Sequence, residues 1–158
     1  MLKDFLENFK STVLSTIDQE GLPFTSYAPF IKVDGKYYVY LSLMAKHTKN
    51  LEKNQNISLF FIEDENSCEN IFGRKRVVLQ CTSKKLPRDN QEFDELIQIF
   101  ETAHGTTMKM LKTMTDFSIY EIAPFKGEAI FGFAQAYDVG GENFDELIER
   151  KGQSGHKK

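Results

Sequence analysis

The sequence predicts a mainly β protein with inserted helices, an α+β chain whose six or seven antiparallel strands close into a small barrel. Three observations carry this expectation. Short runs rich in β-branched and aromatic residues recur along the 158 residues, separated by turn signals such as Asp34-Gly35. The first three runs are joined by turns too short for a parallel crossover, so they are antiparallel neighbours. Closing such a sheet removes the unpaired edges that an open one would expose.

Leu2, Phe5, Leu6 and Phe9 fall at helical spacing, which predicts a short amphipathic helix over 2–10. Strands follow at Ser11 to Ile17 and Phe24 to Ile31, around the turn Asp18-Gln19-Glu20-Gly21. Pro29 lacks an amide hydrogen, so that end of the second strand is expected at an edge or bulge. Asp34-Gly35 is a two-residue hairpin signal between 31–33 and Lys36 to Leu43. A helix is predicted over Ala45 to Lys53, and the apolar run Ile57 to Ile62 reads as a buried strand. Glu63 to Ser67 is an acidic turn, Cys68 to Phe72 one helical turn, and Arg74 to Leu86 a long strand. After Pro87, the positions Phe93, Leu96, Ile97 and Phe100 give a helix its apolar face, with Gly105 as its C-cap. Met108, Leu111 and Met114 mark another short helix. Strands are expected at Phe117 to Ala123 and Glu128 to Val139, joined by 124–127, with a bulge or close approach at Gly132. A last helix is expected from Phe144 to Ile148. With no repeat or linker, residues 1–150 read as one domain and 151–158 as a C-terminal tail.

Net charge is −3, with 20 basic and 23 acidic residues intermixed, which argues against general nucleic-acid binding. Cys68 and Cys81 fit no metal-binding spacing and suit a reducing, cytoplasmic setting. The N-terminus carries acids where a signal peptide would be apolar. No run approaches about 18 apolar residues, so no membrane span is expected.

Few positions could carry chemistry. Arg74-Lys75-Arg76 is the sharpest charge feature: in a strand Arg74 and Arg76 share one face, and paired guanidiniums suit the phosphate or carboxylates of a cofactor. A solubilising strand start is the plainer alternative. His47, after the third strand, lines a pocket or caps a helix. Asp116, at the start of a strand, is a turn carboxylate or the acceptor that orients a ligand histidine. His104 reads as a helix terminus, and Glu63-Asp64-Glu65 as a solvated turn. In the tail, His156 is a ligand-capable imidazole, and Gly152 and Gly155 allow the backbone to bend toward the body; a solvated tail histidine is the alternative. No nucleophile–base pair and no phosphate-binding glycine loop is present, so an enzyme of this sequence would rely on a cofactor.

Seven motifs in order then become specific: Ser26-Tyr27-Ala28-Pro29-Phe30, Ala45-Lys46-His47 to Asn50-Leu51, Ile62-Glu63-Asp64-Glu65, Arg74-Lys75-Arg76, Asp116-Phe117, Gly132-Phe133 to Gln135-Ala136-Tyr137, and Gly155-His156-Lys157. Together they resemble the HugZ/HutZ haem-utilisation family, within the flavin-binding split-barrel superfamily of pyridoxamine-phosphate oxidase. The resemblance implies a PNPOx-like split barrel and a homodimer that binds haem, as substrate and cofactor, at or near the subunit interface. It implies oxidative haem degradation and iron release, with electrons from an external donor. By the same resemblance His156 is the axial ligand of the haem iron, and Asp116 is the carboxylate that hydrogen-bonds it. Arg76 and His47 lie near the haem, with Arg74 and Lys75 beside them. The chain departs from the family where Gly132-Phe133-Ala134 replaces a common Gly-Phe-Gly. Two further readings stand beside this one: an FMN-binding oxidoreductase using Arg74, Lys75 and Arg76 at the flavin phosphate, and a non-enzymatic haem carrier.

Overall fold

The structure is a computed structural model and describes residues 1–150. In order, the elements are α1 (Leu2–Glu7), β1 (Ser11–Ile17), β2 (Pro23–Val33), β3 (Lys36–Ser42), α2 (Lys46–Lys53), β4 (Asn56–Ile62), two 3-10 turns (Glu65–Ser67 and Ile71–Gly73), β5 (Arg76–Lys85), α3 (Gln91–His104), α4 (Thr106–Leu111), β6 (Phe117–Ile130), β7 (Ala136–Gly140) and β8 (Glu146–Glu149). The strand order is β3-β2-β1-β4-β5-β6-β7-β8, and β3 also pairs with β6. Six strands therefore close an antiparallel barrel, and β7 and β8 extend it. Closure splits one edge of β6. Its first half pairs with β3 from Ser42↔Phe117 to Tyr37↔Ile122, and its second half pairs with β7 from Gly127↔Val139 to Ile130↔Ala136. The opposite edge of β6 belongs to β5.

Local chemistry accounts for the turns. Asp34 and Gly35 both have positive φ, 51° and 77°, which is the backbone a tight two-residue hairpin needs. Pro29 closes the β1 pairing opposite Ser11, and Phe30 opens the β3 pairing opposite Val39. The residue without an amide hydrogen thus sits at the corner where β2 changes partner.

Three expectations change. First, β6 runs without a break through 124–127. Gln80 pairs with Lys126 and Cys81 with Pro124, so Phe125 is the extra residue of a β-bulge that accommodates the proline. The reversal comes later, where the Phe131 amide donates to Gln135 O (3.0 Å) around Gly132 at φ 135°. Ala134 in that reversal also has positive φ, 61°, where the family's glycine would sit without strain. Second, Phe144 to Ile148 forms no helix. Gly141 (φ 86°) and Phe144 (φ 50°) turn the chain back as β8, with Leu147 packed against the barrel core. Third, Arg74 and Lys75 precede β5, which begins at Arg76.

The barrel interior is filled by Leu14, Phe30, Tyr37, Leu59, Phe61, Val77, Leu79 and Ile122. At one mouth α1 brings Phe5 and Phe9 edge-on to Phe131 (5.2 Å) and Phe61 (5.5 Å). At the other mouth α2 brings in Leu51 and buried Asn50, which donates to Thr16 Oγ1 at 3.0 Å. Outside the barrel, α3 and α4 cover Ile31, Tyr38 and Ile119 with Phe93, Leu96, Phe100 and Met108. No helix among the described residues is long and apolar enough to cross a membrane.

Gly73 ties the second 3-10 turn to the 131–135 reversal. A Cβ there would meet the backbone of Phe133 and lie 2.9 Å from Gly132 C, and backbone cannot swing aside. Gly73→Ala is therefore expected to lower stability by about 1–3 kcal/mol. Urea denaturation checks this, and an unchanged midpoint would show that the two segments separate freely.

Candidate functional site

The face of the barrel opposite α3 and α4 decides what the molecule can bind. Cross-strand pairing lines up Tyr27, Val13, Phe60 and Val78 on its outer surface, and a second row places Arg76 between Ile62 and Ile130. Tyr27 is 62% exposed and the other apolar members are half-buried. Beside Arg76, Phe72 (79% exposed) and Phe133 (63%) stand out on the two segments that Gly73 joins. An apolar surface of this extent beside a cation marks a binding or assembly face.

The three basic residues at its rim have separate fates. Arg74 Nε donates to Glu63 O at 2.6 Å, and its Nη1 lies 3.3 Å from Glu65 Oε1. The Lys75 amide donates to the Glu63 carboxylate and the Glu63 amide to Lys75 O (2.9 Å), so the acidic turn is folded onto the basic run. Arg76 Nη1 donates only to Arg74 O at 2.8 Å, and it forms no ion pair among the described residues. Its guanidinium keeps donors free beside Ile62 and Ile130. An apolar face with an unspent guanidinium suits a flat ligand with an anionic edge, and both haem and a flavin meet that description.

His47 lies elsewhere. It sits on α2 at the barrel mouth, with Nδ1 2.8 Å from the hydroxyl of Ser26. Ser26 faces inward, because it pairs with core residue Leu14. Burial lowers the His47 pKa below its ordinary 6.5. His104 is structural, with Nε2 2.8 Å from Phe30 O.

Asp116 is exposed just before β6, and its backbone carbonyl accepts from the Leu43 amide at 2.7 Å. Its carboxylate has no hydrogen-bond partner among the described residues; its chain neighbour Thr115 and Leu43 help to line a cleft of about 360 Å³. Arg76 pairs with Ile130, the last residue of β6, whereas Asp116 precedes the first. Within one chain the two residues are therefore held at opposite ends of that strand. His156 lies outside the described residues.

Residue-by-residue reading missed the apolar face. Its signal was present in Ile57 to Ile62, which is apolar on both strand faces although only one lines the core. It also missed Arg150, which bonds Asp138 at 2.9 Å and Glu128 beside a cleft of about 540 Å³. Reading 144–148 as a helix hid that contact.

A six-stranded closed barrel with one shared strand edge is the split-barrel class, here with an apolar outer face and a basic rim. Residues 1–131 match the family described as pyridoxamine 5′-phosphate oxidase. The chain is 32% identical over 157 residues to the heme oxygenase HutZ of Vibrio cholerae, spanning 99% of this chain and 88% of HutZ. The crystal structure of V. cholerae HutZ, there described as a heme storage protein, superposes with a TM-score of 0.74 at 31% identity, covering 78% of this chain and 87% of that one. Campylobacter jejuni ChuZ superposes at 0.81 and 30% identity, covering 99% of this chain and 65% of ChuZ. A heme-binding protein of Mycobacterium smegmatis shares the fold at 0.79 and 18% identity, covering 91% of this chain and 58% of that one. The chain belongs to the pyridoxamine 5′-phosphate oxidase family and, within it, to the HugZ/HutZ group.

The His47 environment predicts a pH dependence. Its folded pKa is below 6.5, so the folded state resists a proton that the unfolded chain accepts. The contribution to stability is full above pH 6.5 and declines as pH falls from there to the lowered folded value. Melting temperatures measured downward from pH 7.5 should show this decline in the parent and a flatter one in His47→Gln. Identical slopes would remove His47 as the cause.

Proposed function

We propose that this chain binds haem and degrades it oxidatively, releasing iron, with haem as both substrate and cofactor. The carrying observation is the free Arg76 guanidinium between Ile62 and Ile130 on the apolar face, in a chain 32% identical to a protein named heme oxygenase. Bound haem supplies the iron at which an external donor's electrons meet oxygen, and it supplies the porphyrin edge that is oxidised. The apolar rows pack the macrocycle and exclude water from it, while Arg76 neutralises a propionate. His156 ligates the iron, and Asp116 accepts the N–H of the other His156 ring nitrogen, holding its tautomer and strengthening it as a donor. Lys75 adds positive charge at the rim, and Arg74 shapes it through Glu63 and Glu65. His47 stays neutral at the barrel mouth and supports the α2 end of the molecule.

The reading requires a homodimer. Residue 156 lies at most about 21 Å of chain beyond Arg150. Arg150 follows Glu149, which pairs with Tyr137 at the Ile130 end of β6. Asp116 lies at the far end of that 14-residue strand, about 45 Å away if the strand is fully extended. Even shortened by the bend at Phe125, that span is long for the six residues from Arg150 to residue 156, so the reading pairs His156 with the Asp116 of a second copy docked on the apolar face. A flavin reading draws on the family, but it needs Arg74 at the phosphate, where Arg74 is already engaged. A carrier reading draws on the storage description of the V. cholerae structure.

Hemin titration followed by ascorbate in air, with catalase present, tests the function. Bleaching of a saturable Soret band with iron release is expected. A stable band would make the protein a carrier, and purification with bound FMN and no Soret change would overturn the proposal. Mixing inactive His156→Ala and Asp116→Asn homodimers tests the architecture. Random exchange restores about a quarter of the sites if the pair forms between copies and none if it forms within one.

A further inference from the structure

Two buried hydroxyls are unspent at the α2 mouth of the barrel. Tyr120 and Ser83 are 2% and 4% exposed, and neither side-chain oxygen has a hydrogen-bond partner among the described residues. A buried hydroxyl is costly to leave unpaired, and a native fold that holds one has an occupant close by to spend it on. The two stand together. Ser83 lies on β5 and Tyr120 on β6, and Lys85, two residues beyond Ser83, is the direct cross-strand partner of Tyr120. Both line one pocket of about 190 Å³, with Leu51, Glu52 and Gln55 from the α2 end and Lys85 from β5. The Ser83 amide donates to Gln55 O at 2.8 Å, which fixes that end of α2 against β5 and keeps the pocket formed. Burial, and after it Glu52, push the Tyr120 phenol above its ordinary 10, so at neutral pH it is a protonated donor.

Size and charge define the occupant. The volume is well below the ~300 Å³ at which pockets for drug-sized ligands begin, so the pocket suits a molecule of few atoms and not a macrocycle or a flavin. The elements that form it carry opposite charges, Glu52 on α2 and Lys85 on β5, and neither residue forms an ion pair among the described residues. A simple anion would be repelled by Glu52, and a simple cation by Lys85. A zwitterion spends both charges, and its carboxylate also accepts from hydroxyls. We propose that this pocket binds a small zwitterion of the α-amino-acid class, with Lys85 and the Tyr120 and Ser83 hydroxyls on its carboxylate and Glu52 on its ammonium. Arg76 and Lys85 are the first and last residues of β5, so the site is separate from the Arg76 face and does not depend on the haem reading.

The test titrates the full chain with the proteinogenic α-amino acids up to tens of millimolar, with acetate and methylammonium as single-charge controls. The backbone amide NMR signals of Gln55 and Ser83 are the readout. A saturable shift is expected with at least one amino acid and with neither control. Tyr120→Phe and Ser83→Ala should each weaken that binding about tenfold, as expected for a lost hydrogen bond to a charged group. In Glu52→Gln, acetate should bind as well as the amino acid does. The ligand-free proteins supply a second measurement. Removing a hydroxyl that has no partner should leave the melting temperature of Tyr120→Phe unchanged or raised. A lowered melting temperature overturns the proposal, because the hydroxyl is then spent on the protein itself or on a structural water. The absence of a saturable shift with every amino acid also overturns it, as does binding of either control as tight as that of the amino acid in the parent.

Discussion

One strand edge serves two partners, and the rest of the molecule follows from it. β6 gives one edge to β3 at its start and to β7 at its end, while β5 holds the other edge from Tyr120 to Ile130. Giving the first half to β3 closes the barrel and allows Tyr37, Val39 and Ile122 to be buried at 1% exposure or less. Giving the second half to β7 keeps β6 extended past the barrel and carries the sheet on to β8 and Arg150. The bulge at Phe125 lies between the two halves and bends the strand there. The β3 pairing ends at Tyr37↔Ile122 because β3 itself turns at the Asp34-Gly35 hairpin, and the edge of β6 beyond that point is open to β7.

The same sharing keeps the chemistry apart. Asp116 is set where β6 starts beside Leu43, and Arg76 where β6 ends beside Ile130. A barrel interior filled by aromatic and branched residues leaves no room for a porphyrin inside, so a flat ligand must lie on the outer surface. Only one side of that surface is uncovered among the described residues, because α3 and α4 occupy the other. The proposed second copy, docked on the uncovered side with its β6 running the opposite way, would bury the apolar rows and bring one chain's Asp116 end to the other's Arg76 end. Oligomerisation and site completion would then share a single cause.

Legibility in the sequence followed the range of the interaction. β1, the Asp34-Gly35 hairpin and the apolar face of α3 depend on neighbours in sequence, and they were readable there. Pro124 looked like a strand end, because whether a proline breaks a strand depends on which partner lies opposite, and β5 tolerates it through a bulge. Phe144, Leu147 and Ile148 have helical spacing, yet the backbone turns at Gly141 and Phe144 place them against β7. Asp116 and Arg76 were identifiable as positions but not as opposite ends of one strand. That relation exists only in the strand register.

The basic run shows why register decides between ligands. Three consecutive cations look like one anion site. β4 and β5 pair so that Ile62 faces Arg76, and this brings Glu63 alongside Lys75 just past the ladder. Glu63 and Glu65 then engage Arg74, which shapes the turn, and leave Arg76 as the cation on the apolar face. A phosphate dianion calls for several converging donors. A propionate is a single carboxylate on an apolar plate, and one unspent guanidinium flanked by Ile62 and Ile130 matches it. The acidic turn therefore does more than solvate a loop: by engaging Arg74, it leaves the rim with fewer converging donors than a phosphate cradle would call for, which is what the proposed propionate contact draws on.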